Sequence, residues 1–540
     1  MYLLDWLSFC LQTPSVTRLA LDKPEDYSFH SMFFIFKFLL DQGIESSNAN
    51  GIITSIAELA LELAALNSLL QRRSPLFRHT YTTALIPIFD LFLLCLKYDT
   101  SVAVMADRMN YYSESRLRHL VRCLNRHVGL FVREGNKTAD STPLDALPRL
   151  VGNVDRLSSA HAGFRRALVE ENFLVTVFGL ITEFLPSSTL NGVGSPAAKI
   201  VSTLLSSRPL TAHEIRHLLP DLLVGHGLLS YVALGLLHHR STNTQPLSWG
   251  SGHGNPLATL YSCCLDRKMS RYMRSALFSI PKNTLAALDY NPDIEAREGW
   301  INFVNYNTTC SKAYNMPPLS DGIGLCDNLQ HFFTKIPPRT VRGRECARCE
   351  RMAYCSEGCQ REDWEAFHRY ECRTSWTSPI DRRCGDISHK SRYSLLELGN
   401  LLWLEATQRS PPGGEKDSIL RSRQILLADA TLFPMQSRFV AFEDLLSLSH
   451  GSANVFKDLR SRAIIEELVR DHGLVLVAFL GRIGEFLYAT LARYAIMQAT
   501  ECGDGLSPAA EISARSRLVP LNVFVEVLEV PDDMKHHSAV

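Results

Sequence analysis

Six cysteines and two histidines fall between residues 326 and 372 of this 540-residue chain, at spacings that suit a metal centre rather than disulfides. Cys346 and Cys349 are separated by two residues, and the tight turn of such a knuckle brings both thiolates to one side, where they can converge on one ion. Cys355 and Cys359 stand four apart, as do His368 and Cys372, so on a helix each pair shares a face. Thiolates combined with imidazole are a zinc donor set. The plain alternative is a run of free buried cysteines, which rarely shows this combination of spacings. The other eight of the 14 cysteines are scattered, and clustering in a reducing compartment favours metal over disulfides.

These residues, with the intervening Tyr354-Cys355-Ser356, Cys359-Gln360, Asp363-Trp364 and His368-Arg369-Tyr370-Glu371-Cys372, resemble a MYND zinc finger over residues 326–372. The resemblance implies two interleaved zinc ions. One is held by Cys346, Cys349, His368 and Cys372, the other by Cys326, Cys355 and Cys359 with a fourth ligand. The family normally supplies that ligand as a cysteine, and this chain has none between 326 and 346. His331 is the nearest residue able to take the place, and imidazole is a sound zinc ligand. The other reading leaves His331 a bystander, with the second site empty or completed by water. Four protein ligands close a zinc site to a reactive water, so the expected role is structural. In so short a segment, metal binding supplies folding free energy on the order of 10 kcal/mol.

The resemblance further implies binding of protein partners, through short proline-rich segments. Gln360 and Trp364 are four apart and share a helical face, where an amide beside an indole suits such a peptide. The plain alternative is that Trp364 only packs the helix onto the zinc core. Some proteins with this finger are SET-type protein-lysine methyltransferases, but no cofactor motif of the Asn-His-Ser-Cys kind flanks it here.

A second constellation, His213-Glu214-Ile215-Arg216-His217, matches the HExxH pattern of zinc metalloproteases, with two histidines one turn apart and the glutamate as base. Thr211-Ala212-His213-Glu214 also has the capping-box pattern, which would turn Glu214 back onto the backbone at a helix start. The metzincin positions for a glycine and a third histidine fall on Pro220 and Leu223.

The elements around these residues read as mainly helical. From 51 to about 240, apolar residues recur at three and four positions, as in Gly51–Arg73 and in Asn172–Leu185. Stacked pairs resembling an armadillo-type solenoid are one expectation, although no fixed-period repeat supports it, and an irregular helical domain is the other. The expected organisation is a helical domain at 1–300, a linker at 301–325, the finger at 326–372 and a small mixed α/β region at 385–540. Within the last, Ser418–Leu427 and Arg438–Leu448 have helical periodicity, Asn522–Val527 suits a strand, and Leu474–Tyr494 fits either strands or a buried helix.

Composition excludes several classes. Lys plus Arg and Asp plus Glu both total 56, which leaves no electrostatic footprint for nucleic acid, and Lys335–Arg373 balances nine basic against seven acidic residues. The most apolar stretch, Thr83–Tyr98, is too short for a bilayer and carries Asp90, and the first twenty residues lack the basic segment of a signal peptide. The expectation is an intracellular interaction protein with structural zinc and no membrane partner.

Overall fold

The computed structural model describes residues 56–58, 60–61, 92–135, 147–184, 201, 210–238, 256–315, 326–329, 344–349, 352–374, 389–409, 425–450, 453–456, 458–470, 474–483, 486–498 and 516–529. The chain divides into two compact units, 1–207 and 208–540, so the helical domain expected at 1–300 spans parts of both.

The first unit is helical throughout its described residues. Helices run over Asp99–Met109, Glu114–Gly135, Leu147–Ala160, Ala162–Glu170 and Phe173–Phe184. The last matches the periodicity of Asn172–Leu185, and its start follows from Asn172. That residue takes a left-handed φ of 53° and accepts the Thr176 N–H on its carbonyl, so one helix ends at Glu170 and the next begins at Phe173. The buried faces carry Leu120, Val121, Leu124, Phe164, Val177 and Phe178.

Among its described residues the second unit opens with seven helices, ending in Ile294–Asn315, which runs fifteen residues into the expected linker. Its core is aromatic: Tyr261 stacks on Tyr306 at 3.9 Å, and Phe433 meets Tyr261 edge-on at 5.1 Å. The Tyr261 hydroxyl accepts the Met435 N–H at 2.9 Å, which ties these helices to the sheet that follows.

Two short strands, β1 (Arg344–Glu345) and β2 (Ala353–Tyr354), pair antiparallel and precede helices Glu357–Asp363 and Arg369–Thr374, which are joined by a π-helical turn over Trp364–His368. Helix His389–Arg409 then leads to a five-stranded sheet. Its strands are β3 (Ile425–Asp429), β4 (Gln436–Val440), β7 (Leu474–Ile483), β8 (Phe486–Gln498) and β9 (Ser516–Glu529), in the order β4-β3-β7-β8-β9. A small hairpin, β5 (Ser449–His450) and β6 (Ala453–Asn454), and helix Leu459–Arg470 lie between β4 and β7. Among the described strands only the β3–β7 pair is parallel, because the chain crosses over through that helix.

The mixed C-terminal region therefore forms as expected, and Asn522–Val527 lies inside β9. Leu474–Tyr494 resolves into β7 and β8. The two helical expectations need correcting. Ile425–Leu427 belongs to β3, and Arg438–Val440 to β4, leaving a helix only over Phe442–Ser447. Ile425, Leu426, Leu427 and Ala428 are all buried, and a strand buried on both faces gives a continuous apolar run that periodicity cannot separate from a helix.

Helix His389–Arg409 packs closely on the sheet at Gly399, where a Cβ would collide with the Tyr494 hydroxyl. That hydroxyl donates to the Leu396 carbonyl at 2.7 Å and fixes the helix in register.

Candidate metal centre

The strand pair sets the geometry. The Cys346 N–H donates to the Met352 carbonyl at 3.0 Å, folding the knuckle Cys346–Cys349 back on β2. Cys326 arrives from a separate segment. Its neighbour Asp327 donates its N–H to the Ala353 carbonyl at 2.7 Å and accepts the Ala353 N–H on Oδ2 at 2.7 Å, so the segment lies along β2. Ser356 caps the following helix, its hydroxyl accepting the Cys359 N–H at 3.1 Å, which turns the Cys359 thiol towards Cys355.

Two clusters of ligand-type atoms result. Cys346, Cys349, His368 and Cys372 offer atoms all within 4.8 Å of one another, and so do Cys326, Cys355 and Cys359. All seven side chains are buried. In the first cluster, Cys346 Sγ lies 4.0 Å from Cys372 Sγ, and Cys349 Sγ lies 3.4 Å from His368 Nε2. In the second, Cys355 Sγ and Cys359 Sγ are 3.4 Å apart. A tetrahedral zinc with sulfur at about 2.3 Å and nitrogen at about 2.0–2.1 Å sets S···S at about 3.8 Å and S···N at about 3.5 Å. The clusters fit that ion, and the first is a complete Cys3His set that leaves no position for a reactive water. His331 lies outside the described residues.

The groups of the first cluster bias one another's protonation. Burial disfavours the His368 imidazolium, but the Cys349 and Cys346 thiols and Glu371 outweigh it and raise the imidazole to about 10. Cys346 is lowered to about 7: burial opposes its thiolate, and the Cys349 and Arg348 backbone N–H groups and His368 stabilise it. Cys372 is pushed up to about 12 by burial and by the neighbouring Cys349 and Cys346. Zinc ligates through thiolate and neutral imidazole, so binding displaces their protons and affinity rises with pH.

Charged groups that sequence reasoning missed surround the clusters. Arg392 donates from Nη1 to Asp327 Oδ2 at 3.0 Å and from Nη2 to Oδ1. Burial opposes the Asp327 charge, yet Arg392 overcomes this and holds the carboxyl below its ordinary range. Tyr354 donates its hydroxyl to Asp363 Oδ2 at 2.8 Å. Glu371 could have been noticed as the neighbour of Cys372, but Arg392 and Arg460 carry no local signal.

Trp364 is exposed, with 38 % of its surface open, and its ring makes a T-shaped contact with His368 at 5.5 Å. Its backbone N–H donates to the Gln360 and Arg361 carbonyls, so Gln360 and Trp364 sit one above the other at the helix end.

The HExxH segment forms the helix Ala212–His217 with the capping box complete. Glu214 Oε2 accepts the Thr211 N–H at 2.7 Å and the Thr211 hydroxyl at 3.1 Å, while the Glu214 N–H donates to that hydroxyl at 3.2 Å. The carboxylate is buried and turned onto the backbone. The rings of His213 and His217 lie 4.5 Å apart, and among the described residues no third ligand-type side chain joins them.

No helix among the described residues is long and apolar enough to cross a membrane. No curated protein and no solved structure matches the chain. The MYND finger family matches residues 334–372, the stretch that holds six of the seven clustered ligands, and Cys326 joins them from just outside it. The chain thus carries a MYND finger, a zinc-binding module of protein–protein interaction.

Proposed function

We propose that the chain is an interaction protein whose finger holds two structural zinc ions and takes proline-rich peptide on its Gln360–Trp364 face. Cys346, Cys349, His368 and Cys372 hold one ion. Cys326, Cys355 and Cys359 hold the other, with His331 as the fourth ligand. The observation that carries the reading is the position of Trp364: its indole meets the ring of His368 in a T-shaped contact while the residue stays exposed, so an ordered ligand set can hold the indole in place at the surface. A rigid aromatic platform costs little entropy when it receives a preformed extended peptide.

The test is fluorescence anisotropy of a labelled proline-leucine peptide titrated with the full chain, comparing Trp364→Ala with the parent after both are shown to retain zinc. Trp364→Ala is expected to weaken binding by about 2 kcal/mol, roughly thirtyfold, as for an aromatic hot spot. Equal affinity, or no binding by either, would remove the peptide reading and leave the zinc module.

A further inference from the structure

Arg460, at the start of helix Leu459–Arg470, lies far along the chain from the finger and is fully buried against it. Its Nε donates to Glu371 Oε1 at 3.0 Å, and its Nη2 to Glu371 Oε2 at 3.0 Å and to Asp363 Oδ2 at 2.8 Å. Its Nη1 donates to the Asp327 carbonyl, and Phe367 packs under the guanidinium at 5.3 Å. The partners belong to all parts of the finger: Asp327 follows Cys326, Asp363 ends the helix that holds Cys359, and Glu371 precedes Cys372. Glu371 Oε2 in turn lies 3.8 Å from His368 Nδ1, on the side of the ring away from Cys349.

At 3.8 Å this is an ion-pair contact rather than a hydrogen bond, and it places the carboxylate where it can orient a ligating imidazole and strengthen it as a donor, with an arginine fixing the carboxylate. An arginine suits the place because its planar fork reaches several acceptors at once, which a lysine cannot. The helix is itself anchored, since Asp458 Oδ1 accepts the Ser461 N–H at 2.9 Å and Ile464 and Ile465 are buried beneath the sheet in the core shared with the finger.

We propose that Arg460 is a positioning residue of the metal centre, holding Glu371 behind His368 and Asp327 behind Cys326, so that the C-terminal region sets how tightly the finger keeps its zinc. The finger is then an incomplete metal site on its own, and any event that withdraws helix Leu459–Arg470 loosens both ions. This rests on the reading that the clusters hold zinc.

The experiment uses the zinc-loaded full chain and follows zinc transfer to a chromophoric chelator, with the absorption bands of the cobalt-substituted chain as a second readout. Glu371→Gln keeps the shape and removes the charge. It is expected to release the Cys3His ion 10- to 100-fold faster and to shift the cobalt bands, with the circular dichroism unchanged. Arg460→Met is expected to speed release of both ions, and Arg460→Lys to recover part of the loss. If Arg460→Met does not fold, Glu371→Gln decides alone. Parental release rates and cobalt bands in Glu371→Gln would overturn the proposal while leaving the finger's function standing. A parent chain that carries no zinc would instead defeat the functional reading from which the proposal starts.

Discussion

Replacing Cys349 by alanine is expected to unfold the finger and to loosen the five-stranded sheet with it, while the helices of residues 99–184 keep their structure. The metal supplies folding free energy on the order of 10 kcal/mol in fingers of this size, comparable to the whole stability of a typical domain at about 5–15 kcal/mol. The loss spreads because the clustered cysteines share one buried core with Ile425 and Leu427 of β3 and Leu476, Ala478 and Leu480 of β7. Independent burial of a finger core and a helical core would confine the loss to the finger, but the second unit contains both finger and sheet. Hydrogen exchange should show protection lost over 344–374, β3 and β7 and retained in Glu114–Gly135. Full protection of β3 and β7 in the mutant would show that the common core does not unfold as one.

The second large effect is expected at Asp327. Its carboxylate takes both Arg392 donors and the Ala353 N–H, in surroundings where Arg392 is 4 % and Asp327 1 % exposed. Removing one partner of a buried ion pair strands the other charge, which costs about 3–5 kcal/mol. Asp327→Ala should therefore lower the unfolding free energy of the zinc-loaded chain, measured by chemical denaturation, by that much, with Cys326 displaced from Cys355 and Cys359. The pH dependence has a definite sign. The folded carboxyl is held below its ordinary range, so its contribution is complete above the unfolded carboxylate's titration and is lost as pH falls through the folded one. A change below about 1 kcal/mol would place this pair with exposed ion pairs, whose median value is that small.

The ligands were legible in the sequence because zinc chemistry constrains residue type and local spacing together. The knuckle Cys346–Cys349 and the pair His368–Cys372 show their spacing directly, and the structure brings them into one cluster. Cys326 could be assigned only through the family resemblance, since its approach to Cys355 depends on Asp327 pairing with Ala353 across the fold. The arginines were not legible. Arg392 and Arg460 stand in unremarkable helical sequence, and only the packing of their helices against finger and sheet buries them. Fold class was readable where one helix face is polar, as in Glu114–Gly135, and unreadable in β3 and β7, whose two buried faces erase the alternation that marks a strand. Glu214 shows a local rule correctly limiting a motif, the capping box predicted at Thr211 being the one observed.

Native mass spectrometry of the full chain, counting zinc per molecule, tests the account most directly. Two ions are predicted, one on each cluster, with His331→Ala reducing occupancy of the second alone. A single ion in the parent would contradict the second site and the role of His331, and a chain without zinc would contradict the account as a whole.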